Sequence, residues 1–151
     1  MDKKEFIQQI FLELVSSLSA DQKGNWGVMN AQQMVEHVAD FFKVSYGKIK
    51  FQQVTPPEQL SKFREFLWSD KEFRENTKAP MLPETPFAIR NSNLKDSLKE
   101  LEEDINNFFN QFKENQTETT LHPVFGDLNF EDWIQLHYKH TQHHAKQFGL
   151  I

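Results

Sequence analysis

The sequence predicts an all-α protein: a four-helix bundle with a long irregular connection between its second and third helices. Three observations lead there. Four segments carry apolar residues at the three-four spacing of an amphipathic helix. One of them repeats as a heptad-like seam, the packing pattern of helix bundles. Prolines crowd between the second and third segments and nowhere else to the same degree. A chain of 151 residues suits one domain, here spanning 1–151, with one core.

The first helix is expected from about Lys3 to Leu18, with Ile7, Ile10, Phe11, Leu14 and Leu18 on its apolar face. The run Ser19-Ala20-Asp21-Gln22-Lys23-Gly24 ends it. Asn30 is a good N-cap for the second helix, which runs to about Tyr46 or Lys48 on the stripe Met34, His37, Phe41, Val44. Gly47 is its natural stop. Between Phe51 and Arg90 the pattern is less regular. Pro56-Pro57 can open a short helix through Leu60, Phe63, Phe66 and Leu67. Pro80, Pro83 and Pro86 then impose an extended loop, suited to a lid, a dimer contact or a plain crossover. The third helix, about Asn93 to Phe112, carries the seam Leu94, Leu98, Leu101, Ile105, Phe108, Phe112, read as core. The turn His122-Pro123-Val124-Phe125-Gly126-Asp127 precedes the fourth. Asn129 caps that helix, Asp132 answers as a capping-box acid, and Gly149 suits the position past its end at Phe148.

Composition removes several functions. The formal charge of −5 and the absence of a Lys/Arg cluster argue against nucleic-acid binding. No run is long enough to span a bilayer, and the N-terminus MDKKEFIQQI has no apolar signal region, so a cytoplasmic protein is expected. With no cysteine there are no disulfides, thiolate ligands or cysteine nucleophile. A thiol used in the chemistry must come with a small molecule.

The chemistry points to the last helix. Four of the six histidines lie in HYKHTQHHAKQFG. His140 and His144 are one turn apart and leave the same face, the usual way for one helix to give two ligands to one ion. On a helical wheel Phe130, Trp133, His137, His140, His144 and Phe148 fall within an arc of about 80°. His143 turns about 100° away from His144. A single histidine on an apolar stripe is usually a hydrogen-bonded core group. Three on one inward face would need partners for about six ring nitrogens, and a metal meets much of that demand. A third ligand should come from another helix. His37, the only histidine on the other three, qualifies, and His137 is the alternative or a fourth ligand. His122, before a proline, reads as a surface or turn residue. Asp40, one turn beyond His37, is placed to orient an imidazole, and Glu36 reads as a solvated face residue. Thr141 stands where a zincin helix has its glutamate base, so that class is excluded.

WGVMNAQQMVEHV, with His37 well into a helix, resembles the second-helix motif of the DinB/YfiT-like proteins. HTQHHAKQFG resembles their final-helix motif, here His140, His144 and Gln147. The HPxFG turn before an HHxxQFG ending is similar to one uncharacterised branch of that superfamily. The resemblance covers most of the chain, least of all Phe51 to Arg90. It implies an up-down-down-up four-helix bundle, often a homodimer, with a divalent metal, zinc or nickel, on His37, His140 and His144. Relatives include transferases using bacillithiol, mycothiol or glutathione, an isomerase and hydrolases. Two functions are therefore carried forward. One is a metal-dependent enzyme activating water or a low-molecular-weight thiol for a small-molecule substrate. The other is a binding or interaction module with a structural metal or none. Gln147 would support a ligand histidine or the helix seam, and His143 would pack outside the ligand set.

Overall fold

A computed structural model of the chain describes residues 2–151. Five helices and a two-stranded sheet make up the regular structure among these residues. The chain is mostly helical rather than all-α.

Helix α1 starts with Lys3–Glu5, passes through a π turn at Phe6–Ile10 and ends as Phe11–Val15. Asp2 caps it by accepting from the Glu5 N–H at 3.0 Å. In the π turn Phe11 N–H reaches back to Phe6 C=O, which brings two side chains five apart onto one face. The buried set is consequently Phe6, Ile7, Phe11, Val15 and Leu18, whereas Ile10 and Leu14, expected inside, are only partly covered. The helix also stops before Leu18. Ser16 and Ser17 hydroxyls donate to the carbonyls of Glu13 and Leu14, and the last amides tighten to three-residue bonds.

Helix α2, Ala31–Ser45, is opened by a capping box: Asn30 Oδ1 accepts from Gln33 N–H and the Gln33 side chain accepts from Asn30 N–H. It packs along α4, Leu94–Gln111, with Val35, Val38 and Phe42 turned to the core. The expected stripe divides. Met34 is buried, but His37 and Phe41 are only partly covered because they face a cavity. A short 3₁₀ turn, Pro57–Gln59, leads into α3, Leu60–Trp68. Helix α3 is clamped onto α5, Phe130–Gln147, where buried Asp132 accepts from both Arg64 guanidinium nitrogens and from Trp68 Nε1. Lys139 adds bonds to the carbonyls of Ser69 and Lys71.

The turn at His122 lies in a hairpin, not between helices alone. Strands β1, Thr120–His122, and β2, Gly126–Leu128, pair antiparallel with His122 opposite Gly126. Gly126 takes φ +83°, a conformation that disfavours any side chain. Thr120 ties this hairpin to two helices: its hydroxyl donates to Ser45 C=O and accepts from Trp133 Nε1, each at 2.7 Å. The core between α1, α2, α4 and α5 is aromatic. Phe108 packs against Phe42, Phe112 and Phe130, with ring centroids within 5.9 Å. No described helix is long and apolar enough to cross a membrane.

Candidate metal centre

Three imidazoles meet at one point. His140 and His144 project from the same face of α5, and α2 brings His37 against them across 103 positions of chain. His140 Nε2 lies 3.0 Å from His37 Nε2 and 3.0 Å from His144 Nε2. The three nitrogens that could hold an ion all fall within 4.8 Å of one another. Nitrogens about 2.0–2.1 Å from a shared ion stand roughly 3.0–3.4 Å apart, so these separations fit one first-row divalent metal. The donor set fits too: three neutral imidazoles suit zinc and nickel.

Neutrality follows from burial. It lowers the pKa of His37 to about 4, with the nearby His143 adding to the effect. Burial also pushes His140 and His144 well below the ordinary histidine value, with neighbouring histidines acting the same way. All three therefore keep a lone pair at pH 7.

The direction of one lone pair is fixed by a relay. Gln147 Nε2 donates to Trp26 C=O at 2.9 Å, which leaves its Oε1 facing His144 Nδ1 at 2.7 Å. An amide oxygen can only accept, so His144 Nδ1 carries the proton and Nε2 is free for a metal. Two glycines make room for this amide. A Cβ on Gly24 would stand 2.9 Å from Gln147 Cγ, and one on Gly27 would stand 2.7 Å from Gln147 Nε2. Gly27 also has φ +80°. Of the two roles expected of Gln147, beside a histidine or in the helix seam, its hydrogen bond places it beside His144, while Trp26 and Gly27 stood in the quoted motif without an assigned role.

Other candidates go elsewhere. His137 is not with the cluster. It is sandwiched between Phe42, 3.8 Å away at 13°, and Trp133, 5.3 Å away at 23°, and its buried Nε2 has no partner among the described residues. It is neither the third nor a fourth ligand in this arrangement. His143 packs edge-on to Trp26 and Phe73, outside the three. Asp40 orients no imidazole: it pairs with Arg90 at 2.9 Å, and Lys43 lies one turn along. Glu36 is buried rather than solvated. It accepts from the backbone N–H groups of Arg90 and Asn91, from Asn91 Nδ2 and from Ser97 Oγ. The wheel put Glu36 off the histidine stripe, but α4 and the chain at residues 90–91 cover that face. His122 ends strand β1, its Nδ1 accepting from the turn that follows, and it is buried rather than on the surface.

The cluster lies on the wall of a cavity of about 1820 Å³, above the usual range for small-molecule sites. Phe41, Phe51, Phe63, Phe73, Leu82 and Phe125 are among its lining groups, so the walls are largely apolar. Residues 71–90 supply much of the outer wall, and Arg90 at its end is held by Asp40 and Glu100. The irregular segment thus forms one wall of the cavity beside the site.

Comparison with known proteins agrees. No curated protein and no solved structure gives a significant match. The family model described as DinB superfamily matches residues 5–148, which include both helices that carry the three histidines. By that match over nearly its whole length, the chain belongs to the DinB superfamily.

Proposed function

We propose that this protein is a divalent-metal-dependent enzyme, with zinc or nickel held by His37, His140 and His144, acting on a small organic molecule in the adjoining cavity. The observation that carries the reading is the convergence of three neutral Nε2 atoms on a cavity wall. A divalent ion supplies Lewis-acid chemistry there, activating water for hydrolysis or a small-molecule thiol for transfer. The absence of cysteine means that any such thiol is a separate low-molecular-weight cofactor. Gln147 fixes the tautomer of His144, α2 supplies the ligand that α5 cannot reach, and the aromatic walls limit water. His137, turned into the core, offers no fourth protein ligand. Three protein ligands with a position toward a cavity is the pattern of catalytic rather than structural sites.

A second reading is a non-catalytic binding module. It draws on the mutual Nε2 contacts, since an Nε2–H of His140, 3.0 Å from the bare Nε2 of His144, donates to it without a metal. We further propose that residues 1–151 act as one four-helix-bundle domain, as a cytoplasmic homodimer; sedimentation velocity tests the dimer.

Elemental analysis of protein purified without a His tag decides between the two readings of the cluster. About one metal per chain is expected, lost in His37→Ala, His140→Ala and His144→Ala and kept in His143→Ala. Less than about a tenth of an equivalent after reconstitution would sink the metal site. A screen of loaded protein with thiol cofactors and with ester or amide substrates then separates transfer from hydrolysis.

A further inference from the structure

His122 stands apart from the three-histidine cluster but lines the same cavity. Its Nδ1 faces two backbone donors, Val124 N–H at 3.0 Å and Phe125 N–H at 3.2 Å. Two N–H groups can converge only on a lone pair, so Nδ1 carries no proton and the ring's proton sits on Nε2. The ring cannot swap these roles without leaving both amides unpaired. Burial holds its pKa down to about 3, so the ring remains neutral across the physiological range.

Its orientation is equally settled. Phe41 stacks on it at 6.0 Å and 25°, and Phe125 and Trp133 flank it at 5.1 and 5.6 Å. Nε2 has no hydrogen-bond partner among the described residues. It is not sealed either, since the only sealed side-chain polar atom without a partner among them is His137 Nε2. His122 lines the cavity, and its single free N–H is not sealed off by the protein.

We propose that His122 is a substrate-binding residue whose Nε2–H donates to a neutral acceptor oxygen, the carbonyl of a ketone, ester or amide, on an apolar aromatic-sized molecule lying against Phe41 and Phe125. This rests on the reading of the cavity as a substrate site. The charge state selects the ligand: a neutral donor in an aromatic wall matches a carbonyl, and Arg90, one of the cations lining the cavity, is already engaged by Asp40 and Glu100. A ligand of the same shape without the oxygen leaves a desolvated N–H unpaired, which costs on the order of a tenfold loss in affinity.

Benzophenone and diphenylmethane test this as a matched pair of probes, titrated into the full-length protein and followed by NMR shifts and calorimetry. Each titration is run with zinc and after chelation, so that binding of the carbonyl to a metal is separated from binding to His122. Benzophenone is expected to bind about tenfold more tightly in both conditions. In His122→Asn the side-chain oxygen still accepts from Val124 and Phe125, but no donor reaches the cavity. The preference should vanish there while diphenylmethane binding and zinc content stay. His122→Gln, which restores an N–H near the Nε2 position, should recover part of it. Equal binding of both probes by the unaltered protein, or an unchanged preference in His122→Asn, overturns the proposal. So does failure of both probes to bind while zinc is bound normally, an outcome that leaves the metal reading standing. Long-range nitrogen-proton NMR of the unaltered protein should show the Nε2–H form, and the Nδ1–H form would overturn the proposal whether or not a variant folds.

Discussion

Gln147 determines what His144 can do. Its amide joins Trp26 C=O to His144 Nδ1, and this small relay leaves Nε2, the nitrogen proposed to hold the metal, unprotonated. Gln147→Ala should therefore lower zinc affinity about 10- to 100-fold with the fold intact, as measured by competition with a chelator. Gly27→Ala tests the same relay from outside. A methyl there meets the amide nitrogen at 2.7 Å and forces a side chain into φ +80°. Loss of stability of about 1 kcal/mol together with weaker zinc binding is expected; unchanged affinity would show that the relay has no part in tuning the metal. Two residues could be read from the sequence by spacing, His140 and His144. Neither Trp26 nor Gly27 could, because a backbone carbonyl and an empty Cβ leave no mark in a residue pattern.

Helices here are placed by buried carboxylates. Asp132 closes the cap of α5 and also receives Arg64 and Trp68, so one side chain fixes the start of a helix and docks α3 on it. Sequence spacing showed the cap but not the docking, since Arg64 lies 68 residues away. Asp132→Ala should cost about 2–3 kcal/mol in urea unfolding, from the lost cap and the unpaired donors. Arg64→Ala should cost under about 1 kcal/mol, because that guanidinium is half exposed and its charge is screened. Equal losses would show that the ion pair rather than the cap dominates. Glu36 plays the matching part for α2. Burial acts to raise its pKa, but donors from Arg90, Asn91 and Ser97 outweigh this and lower it. Glu36→Gln should cost about 2 kcal/mol and speed hydrogen exchange at Arg90 and Asn91, freeing the end of the cavity wall. Unaltered exchange at those two amides would count against this anchoring role.

At the scale of the whole molecule, pH and metal report on the buried histidines. His122 titrates near 6.5 when unfolded and at about 3 when folded, and burial holds His137 well below 6.5. Between these values the unfolded chain binds more protons. Stability is thus fully present above about pH 6.5 and falls as the solution is acidified. His122 alone removes about 2 kcal/mol at pH 5. Denaturation between pH 8 and pH 5 should show this slope, shallower in His122→Asn; a midpoint that rises on acidification contradicts it. Metal should act in the opposite sense. A ligand that binds only the folded state at 100 times its Kd adds about 2.7 kcal/mol, so chelation should lower Tm and zinc should restore it.

What the sequence determined by itself is what local periodicity can carry. Helix boundaries at Asn30, Asn93 and Asn129, the seam of α4 and the His140–His144 pair all depend on contacts within one or two turns. His37 was selected through family motif and by elimination, and the structure brings it to 3.0 Å from His140. Tertiary packing alone decided the rest. It moved His137 from the ligand stripe into an aromatic stack, because an arc of about 80° on a wheel spans both core and cavity. It buried Glu36, turned Asp40 to Arg90 and gave His122 a fixed N–H beside an apolar cavity. Such outcomes depend on which distant element covers a face, and no spacing within a single helix records that.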